Sequence, residues 1–269
     1  MDLQELCSFQ TFIWHFYATN KRYFAWRNVD NPYYIMVSEI MLQQTQTDRV
    51  VAKFEQFIAA FPDIYSLADA DLQDVLGVWQ GLGYNRRGKA LWENAQRITQ
   101  EYEGVVPDDP EILKTFRHIG PNTAASIVAF AFNKPVVFIE TNIRTVYLHT
   151  FFKEKDDVHD RQLLPLIAQT VDQSNPREWY YALMDYGVYL KKMLPNPNRR
   201  SAHYAVQSKF EGSNRQIRGK IIRKLTEVGK IDIDDLFDSL GREQERYKVV
   251  LDGLVKDKMI NICENVVSF

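Results

Sequence analysis

The chain is poor in the residues that build redox and metal sites. Two cysteines occur, Cys7 and Cys263, near opposite ends of the 269 residues, and the five histidines are scattered singly. So few ligands assemble neither a disulfide framework nor a clustered zinc or iron–sulfur motif. Long apolar runs are also missing, since no segment approaches the roughly 18 residues of a membrane span. The opening residues "MDLQELCSFQ" lack the basic and then apolar order of a signal peptide. We therefore expect a soluble, cytoplasmic protein.

The chain as a whole also lacks a large excess of either charge, and its formal net charge is only −2. This balance argues against indiscriminate binding of polyanions. The distribution is nevertheless uneven, since ten basic residues between Tyr189 and Lys224 face the single acid Glu211. Such a band is typical of a solvated helix face, and it is equally compatible with a local nucleic-acid contact.

One helical segment carries a conspicuous set of polar residues, "SEIMLQQTQT", from Ser38 to Thr47. If Asn31 caps this helix and Pro32 takes its first position, one face follows a spacing of three and four residues. That face contains Ile35, Glu39, Leu42, Gln43 and Gln46. A half-apolar, half-polar face suits the wall of a pocket, whereas a solvated helix surface is the plainer interpretation.

Apolar residues recur at helical spacing through nearly all of the chain, which predicts an all-α fold. The stretch from 107 to 132 predicts two helices around an Ile-Gly-Pro turn. After residue 210 the order becomes helix, short helix, helix and then strand-like residues, "KMINICENVVSF". This order fits a winged helix-turn-helix with Glu243 to Leu254 as its second helix, and it equally fits a featureless helical cap.

Four motifs now stand in a distinctive order: "FAWRNVDNPYYIMVSEIMLQQTQT", "LGVWQGLGYNRRGKAL", "HIGPNTAASIVAFAF" and "VVFIETNIRTV". Their order and spacing resemble those of the helix-hairpin-helix DNA glycosylases, and most closely the MutY-type adenine DNA glycosylases. The resemblance extends from about Phe24 to Tyr189. It implies a two-lobed helical fold that encloses a cleft into which a DNA base is flipped, because a stacked base is out of reach of acid and water. The implied lobes are residues 1–28 with 136–210, and residues 29–135, followed by a winged-helix-like domain at 211–269.

The resemblance also implies catalytic roles. Glu39 stands at the position of the general acid that protonates the purine ring, and a half-apolar face favours the protonated acid. Glu140 stands where the family has an Asp that stabilises the positive sugar and orients water, and Asn142 is the neighbouring amide. Glu adds a methylene to that Asp, and a displacement of ~1 Å can cost ~100-fold in rate. Arg27 matches a pocket arginine, and Tyr181 replaces a base-contacting Gln or Glu.

The same likeness implies a set of DNA contacts. Amides can bond to base edges and an aromatic ring can fill a vacated stack, whereas the hairpin holds a phosphate through backbone N–H groups. The implied contacts are Gln43, Gln44, Tyr84, His118, Gly120, Asn122, Thr123, Lys191, Arg199 and Arg200.

Several positions depart from the family pattern. His118 replaces the first glycine of the hairpin, although His enters left-handed geometry less readily than Gly. Asn122 stands where strand-cleaving relatives carry a nucleophilic Lys, and an amide forms no Schiff base. The four cluster cysteines of the family are replaced by Lys191, Asn198, Ser201 and Gln207. The resemblance thus implies no metal and no iron–sulfur cluster, and the one cofactor that it leaves open is a monovalent cation at the hairpin.

The sequence therefore predicts a monofunctional DNA glycosylase of base excision repair that removes a mispaired purine, with adenine as the first candidate. We expect it to act in the cytoplasm, on the nucleoid, as a monomer bound to double-stranded DNA with a lesion or mispair and without membrane contact. Two alternatives keep the fold: a glycosylase for a deaminated purine or mismatched pyrimidine, and a catalytically impaired lesion-binding protein. An all-helical protein unrelated to DNA is the third.

Overall fold

The computed structural model describes residues 3–241 and 244–269. Fourteen helices and three strands are found in this part of the chain, and two short 3-10 helices at Ala25–Arg27 and Pro197–Arg200 accompany them. The helices are α1 Leu3–Asn20, α2 Pro32–Leu42, α3 Thr47–Ala60, α4 Ile64–Ala68, α5 Leu72–Trp79, α6 Asn85–Glu101, α7 Pro110–Leu113, α8 Pro121–Phe132, α9 Thr141–Phe151, α10 Asp160–Thr170, α11 Pro176–Met193, α12 Asn214–Val228, α13 Ile233–Leu240 and α14 Gln244–Lys256. The strands are β1 Lys230–Asp232, β2 Asn261–Cys263 and β3 Val266–Ser268. The predicted all-α class is confirmed.

The chain divides into two compact units. The first contains residues 1–36, 107–115 and 119–206, and the second contains residues 37–106, 116–118 and 207–269. The division predicted from the sequence, into two helical lobes and a tail domain, stays a prediction.

The core of the first unit is unusually rich in aromatic side chains. Phe9 lies edge-on to the rings of Tyr147, Phe151 and Trp179, at centroid distances of 5.5, 5.0 and 6.0 Å. Edge-to-face pairs of this kind contribute beyond the apolar area that they bury. Helix α11 packs along α9, and Gly187 permits that contact, because a Cβ there would lie 2.4 Å from the carbonyl oxygen of Asn142. The packing therefore fixes α11 against the beginning of α9.

The second unit contains the C-terminal tail, whose strands form one small sheet. Strand β3 lies in the middle and pairs antiparallel with β1 and with β2. Glu264 and Asn265 join β2 to β3 and both have positive φ, at 48° and 68°, which is typical of a tight two-residue hairpin. Helix α12 shares a buried cluster with Leu76 of α5, through Ile217 and Ile221.

The predicted order of tail helices is present, and the strand-like residues form β2 and β3. The identification of the tail as a winged helix stays a prediction. Glu243, where we expected its second helix to begin, lies outside the described residues. Within residues 3–241 and 244–269, none of the helices combines the length and hydropathy that a bilayer span requires.

Candidate nucleic-acid interface and catalytic carboxylates

Glu39 lies in the last turn of α2, where it is partly buried among fully buried neighbours. The helix begins as predicted, since Pro32 is its first residue and the Asn31 side chain accepts a hydrogen bond from the Tyr33 N–H at 3.0 Å. Ser38 and Ile40, on either side of Glu39, have no exposed surface. The carboxyl thus lies at the edge of a buried stretch, as a half-apolar face requires.

The predicted face of α2 is wrong beyond Leu42. The helix ends there, so Gln43 and Gln46 lie in the following turn rather than on the face of Glu39. Gln44 adopts a left-handed conformation with φ of 54°. The Gln43 amide turns toward the hairpin and donates to the carbonyl oxygen of His118 at 3.1 Å.

Arg87 explains why the helix ends at this point. Its Nη1 donates to the carbonyls of Ile40, Met41 and Gln43, and the Ile40 and Met41 bonds measure 2.8 and 3.0 Å. A continuing helix would bond the Ile40 and Met41 carbonyls to the N–H groups four residues later. The arginine takes these carbonyls instead and thereby ends the helix.

The other nitrogen of the same guanidinium holds a second turn. Nη2 donates to the carbonyls of Leu82 and Gly83, at 3.1 and 3.2 Å, and to Thr45 Oγ1 at 2.9 Å. The residue is 4% exposed, and burial lowers the pKa of Arg87 to about 10, so the group stays charged at neutral pH. One buried cation therefore joins the turn after α2 to the turn before α6.

Tyr84 lies directly after that second turn and precedes α6. It is left-handed, with φ of 47°, a conformation that side chains other than Gly enter at a cost. The guanidinium carbons of Arg87 and Arg215 each lie 5.4 Å from the centroid of its ring. Its hydroxyl oxygen accepts from Arg215 Nη1 at 2.6 Å and from the Gln207 amide. The ring predicted to enter the DNA stack is thus in contact with two guanidinium groups and is held at its hydroxyl.

His118 is the left-handed residue of the hairpin, with φ of 57°. Burial lowers the pKa of His118, and the nearby charges of Arg86 and Arg87 lower it further. Gly120, by contrast, is extended with φ of −82°, and a Cβ there would meet nothing within 4 Å. The position that needs a glycine is therefore the one that has His.

The remaining hairpin residues begin α8 in the first unit. Gly120 is the N-cap and Pro121 the first helical residue, which is a standard helix start. The Asn122 side chain is exposed apart from one contact, in which Oδ1 accepts from the Ile139 N–H at 3.3 Å. Thr123 lies in the first turn, and its carbonyl accepts from the Ser126 hydroxyl at 3.0 Å.

Glu140 caps the N-terminus of α9 with its own side chain. Oε1 accepts from the backbone N–H groups of Asn142 and Ile143, at 2.8 and 3.0 Å, and Oε2 accepts from the Asn142 amide at 3.2 Å. N-cap positions ordinarily favour the shorter Asp, Asn, Ser or Thr. The longer side chain folds back and satisfies two backbone donors there, and the positive end of the helix favours its negative charge.

Residues of the segment 191–201 surround this cap. Burial lowers the pKa of Lys191, the negative charge of Glu140 raises it, and the positive charge of Arg22 lowers it again. The Asn198 amide donates to the carbonyl of Thr141 at 3.2 Å, and Asn198 is 5% exposed. The predicted phosphate contact Lys191 is therefore partly buried beside the predicted catalytic carboxylate.

Arg200 is bound to the far end of the same helix. Its guanidinium donates to the carbonyls of Leu148, Phe152 and Lys153, which terminate α9. Its donors are thus directed to the protein, whereas Arg199 in the same segment is exposed. The DNA-contact roles of both residues stay predictions.

Arg27 and Tyr181 are neighbours, as the base-pocket prediction requires, but both are buried. The guanidinium of Arg27 donates to both oxygens of Asp185 at 2.9 Å and lies 4.4 Å from the Tyr181 ring. Tyr181 stacks on Phe130 with ring centroids 4.5 Å apart. Arg22 also bonds to Asp185, through its backbone N–H and Nε. Arg27 is therefore the partner of a buried carboxylate.

The structure groups the predicted residues into two sets. Gln43, Gln44, Tyr84 and His118 gather around Arg87 in the second unit, whereas Glu140, Asn142, Lys191, Arg27 and Tyr181 belong to the first. Sequence reasoning missed Arg87, Asp185 and Asn198. The signal for Asp185 is its place four residues after Tyr181 in an aromatic helix, which puts both on one face.

Comparison with known proteins defines the class. Residues 37–169 match the family model described as "HhH-GPD superfamily base excision DNA repair protein". The chain therefore contains a domain of this superfamily, and the predicted helix-hairpin-helix assignment is confirmed. The structure of a thermostable thymine-DNA glycosylase has the same fold, with a TM-score of 0.62 and 23% identity over 68% of this chain and 86% of that one. An identity this low establishes the fold alone.

Two relatives in sequence carry the same name. The adenine DNA glycosylase of Buchnera aphidicola subsp. Baizongia pistaciae is 30% identical over 190 residues, which are 69% of this chain and 53% of the relative. The adenine DNA glycosylase of Mycobacterium tuberculosis is 29% identical over 271 residues, 89% of this chain and 87% of the relative. The chain thus spans about half of the first relative and most of the second.

Proposed function

We propose that the protein is a monofunctional DNA glycosylase that flips a mispaired purine, with adenine as the first candidate, out of double-stranded DNA and hydrolyses its N-glycosidic bond. The observation that carries the proposal is the assembly around Arg87. It joins the turn that contains Gln43 and Gln44 to the turn before Tyr84, and Gln43 in turn bonds to the hairpin residue His118. Three segments expected to touch DNA thus form one connected surface of the second unit.

In the proposed mechanism Glu39 donates a proton to a ring nitrogen of the extruded base. The bond between that base and the sugar C1′ then breaks, and its electron pair leaves with the neutral base. The sugar becomes an oxocarbenium-like cation, which the carboxylate of Glu140 stabilises. A water molecule adds to C1′ and gives up one proton to the Glu39 carboxylate, which leaves an abasic site and restores the acid. The hydrogen bonds that hold Glu140 at the start of α9 keep its charge in one place during these steps.

The same proposal explains why no strand cleavage is expected. An amine nucleophile would form a Schiff base with the sugar, but Asn122 offers only an amide at the hairpin. No step uses an iron–sulfur cluster. The carbonyls of His118 and Gly120 already accept from Gln43 and from the Ala124 N–H. No step of the mechanism uses a cation at the hairpin, where a monovalent ion stays a prediction.

Tyr181 favours a second candidate, a glycosylase for a deaminated purine or a mismatched pyrimidine. Its ring is stacked between Phe130 and the guanidinium of Arg27. A phenol in this position offers a base edge a different hydrogen-bonding pattern from an amide or carboxylate. The preference for adenine therefore needs a direct test. In either case the proposed partner is duplex DNA, bound by a monomer in the cytoplasm.

A single-turnover assay tests the proposal. Duplexes carrying adenine opposite 8-oxoguanine, adenine opposite guanine, hypoxanthine, uracil or thymine opposite guanine are incubated with excess protein, and alkali then cleaves abasic sites. We expect adenine release, lost in Glu39→Gln and retained in Glu55→Gln, a matched change on the exposed face of α3. Cleavage without alkali would contradict the monofunctional mechanism.

The other outcomes separate the alternatives. Release of another base, equally abolished by Glu39→Gln, would favour the second candidate. Intact duplexes that remain tightly bound would indicate a lesion-binding protein without turnover. If the protein neither cleaves these duplexes nor binds them with a salt-dependent affinity, a role in DNA repair is refuted.

A further inference from the structure

The C-terminal segment 207–269, called the tail below, contacts Tyr84, the residue predicted to enter the DNA stack. The tail segment reaches Tyr84 through two side chains, Gln207 and Arg215, which both donate to its hydroxyl oxygen. The Arg215 guanidinium also lies 5.4 Å from the centre of the Tyr84 ring. No motif of the sequence predicted this contact, because more than 120 residues separate the partners.

Arg215 is itself fixed on the tail side. Its second terminal nitrogen, Nη2, donates to the carbonyl of Ser208 at 2.6 Å, to its hydroxyl at 3.1 Å and to the carbonyl of Lys209 at 3.4 Å. It lies in the first turn of α12, whose N-cap Ser213 accepts from the Gln216 N–H. A guanidinium bonded on both sides has little rotamer freedom left.

The conformation of Tyr84 makes such support useful. Its left-handed backbone is unfavourable for a tyrosine, and the surrounding contacts must maintain it. Arg87 holds the backbone through the carbonyls of Leu82 and Gly83, which precede Tyr84, whereas Arg215 holds the hydroxyl. Arg87 thus fixes the backbone before Tyr84, and Arg215 fixes the hydroxyl end of its side chain.

We propose that Arg215, assisted by Gln207, is a positioning residue that holds Tyr84 in the orientation needed to enter the DNA stack. The role of the tail in recognition is then to orient this ring. The inference rests on the proposed function for the meaning of the ring, but the coupling of the two residues is measurable without any DNA. A direct contact between Arg215 and a phosphate is the competing role.

The first experiment measures the coupling in the free protein. Arg215→Met, Tyr84→Phe and the double variant are compared with the unchanged protein by urea unfolding. We expect the two changes to be strongly non-additive, because each removes the same hydrogen bond. Lys220→Ala, an exposed cation on the same helix, should be additive with Tyr84→Phe. Additive effects of Arg215→Met and Tyr84→Phe would overturn the proposal.

The second experiment places 2-aminopurine beside the mispair and follows its fluorescence on binding, together with single-turnover excision. We expect Arg215→Met to reduce the fluorescence rise and the excision rate about tenfold, the value of roughly one hydrogen bond to a charged group. The dissociation constant and its salt slope should stay the same within twofold. In a Tyr84→Phe background, which lacks the hydroxyl, Arg215→Met should have a much smaller effect.

Three results would refute this role. A salt slope reduced by about one unit would make Arg215 a phosphate contact instead. An undiminished effect of Arg215→Met in the Tyr84→Phe background would show that it does not act through the hydroxyl. An equal loss in Lys220→Ala would reduce the effect to net charge. If the unchanged protein releases no base, the proposed function fails, whereas the fluorescence and unfolding measurements still decide the role of Arg215.

Discussion

Replacing Arg87 by Met should destabilise the protein far more than removing its neighbour Arg86. The two residues carry the same charge and are adjacent in α6, but their surroundings differ. Arg87 makes six hydrogen bonds through its two terminal nitrogens. The Arg86 side chain is 55% exposed and pairs with Asp257 at 2.6 Å. The two variants therefore separate the effect of buried hydrogen bonds from the effect of surface charge.

The size of the effect follows from the donors that are lost. The two terminal nitrogens of Arg87 carry four N–H groups, and each buried bond contributes a net ~1 kcal/mol. Methionine fills a similar volume but leaves five carbonyls without this donor. We expect Arg87→Met to lower the free energy of unfolding by about 4 kcal/mol, a large part of the 5–15 kcal/mol typical of a folded protein. Arg86→Ala should cost about 0.5 kcal/mol, the value of an exposed ion pair.

Equilibrium unfolding in urea, followed by tryptophan fluorescence and by far-ultraviolet circular dichroism, measures both variants. Coincident transitions by the two probes justify a two-state analysis. A difference of less than about 1.5 kcal/mol between Arg87→Met and Arg86→Ala would refute the reasoning. It would mean that water or neighbouring side chains replace the donors of Arg87 at little cost.

Four further outcomes are expected. Glu140→Asp should keep the helix cap and excise within about tenfold of the original rate, whereas Glu140→Ala should lose about 1 kcal/mol of stability and most excision; equal rates would remove the carboxylate from the mechanism. His118→Gly should have a free energy of unfolding about 1 kcal/mol higher than that of His118→Ala, because only glycine relieves the left-handed strain. Gly120→Ala should leave the free energy of unfolding nearly unchanged, and a large loss there would contradict the extended geometry. Burial raises the pKa of Asp257, but hydrogen bonds from two arginines lower it by more, so its contribution is present at neutral pH and lost as the pH falls through the lowered value. The stability deficit of Asp257→Asn in urea should therefore shrink below pH about 4, and a deficit independent of pH would exclude the ion pair as its cause. Arg200→Met should lower the free energy of unfolding, measured by calorimetry, by about 2 kcal/mol, because three carbonyls at the end of α9 lose their donor. An unchanged melting temperature would mean that these bonds do not stabilise the fold and would favour a DNA contact for Arg200.

Local rules were sufficient wherever the cause lies within a few residues. The start of α2 at Pro32, with Asn31 as its cap, follows from residue preferences alone and is confirmed. The hairpin before α8 follows from Ile-Gly-Pro in the same way. The strained position in that hairpin could also be anticipated, because a single His stands where φ must be positive.

Distant partners decided the rest. Helix α2 stops at Leu42 because Arg87, 44 residues after Gln43, takes its last carbonyls. Arg27 is buried because Asp185, 158 residues away, pairs with it. Neither partner belongs to a local pattern, so helical spacing predicted a longer face for α2, and the family resemblance implied a pocket role for Arg27 without its buried partner. Motif resemblance assigned roles to these residues along the chain, which stay predictions, but it could not show which side chains their neighbours engage.

The left-handed residues Gln44, Tyr84 and His118 also bear on how this protein would respond to selection or redesign. Each position is one where glycine would relax the backbone, at a gain of about 1–2 kcal/mol in strain. Each is also a position where glycine would remove a side chain proposed to meet DNA. A search for thermostable variants that scores only the folded state would therefore select glycine at these three sites, along with other left-handed positions such as Glu103 and Lys258. It would yield robust proteins that recognise their target poorly, so libraries intended to preserve function should keep all three unchanged.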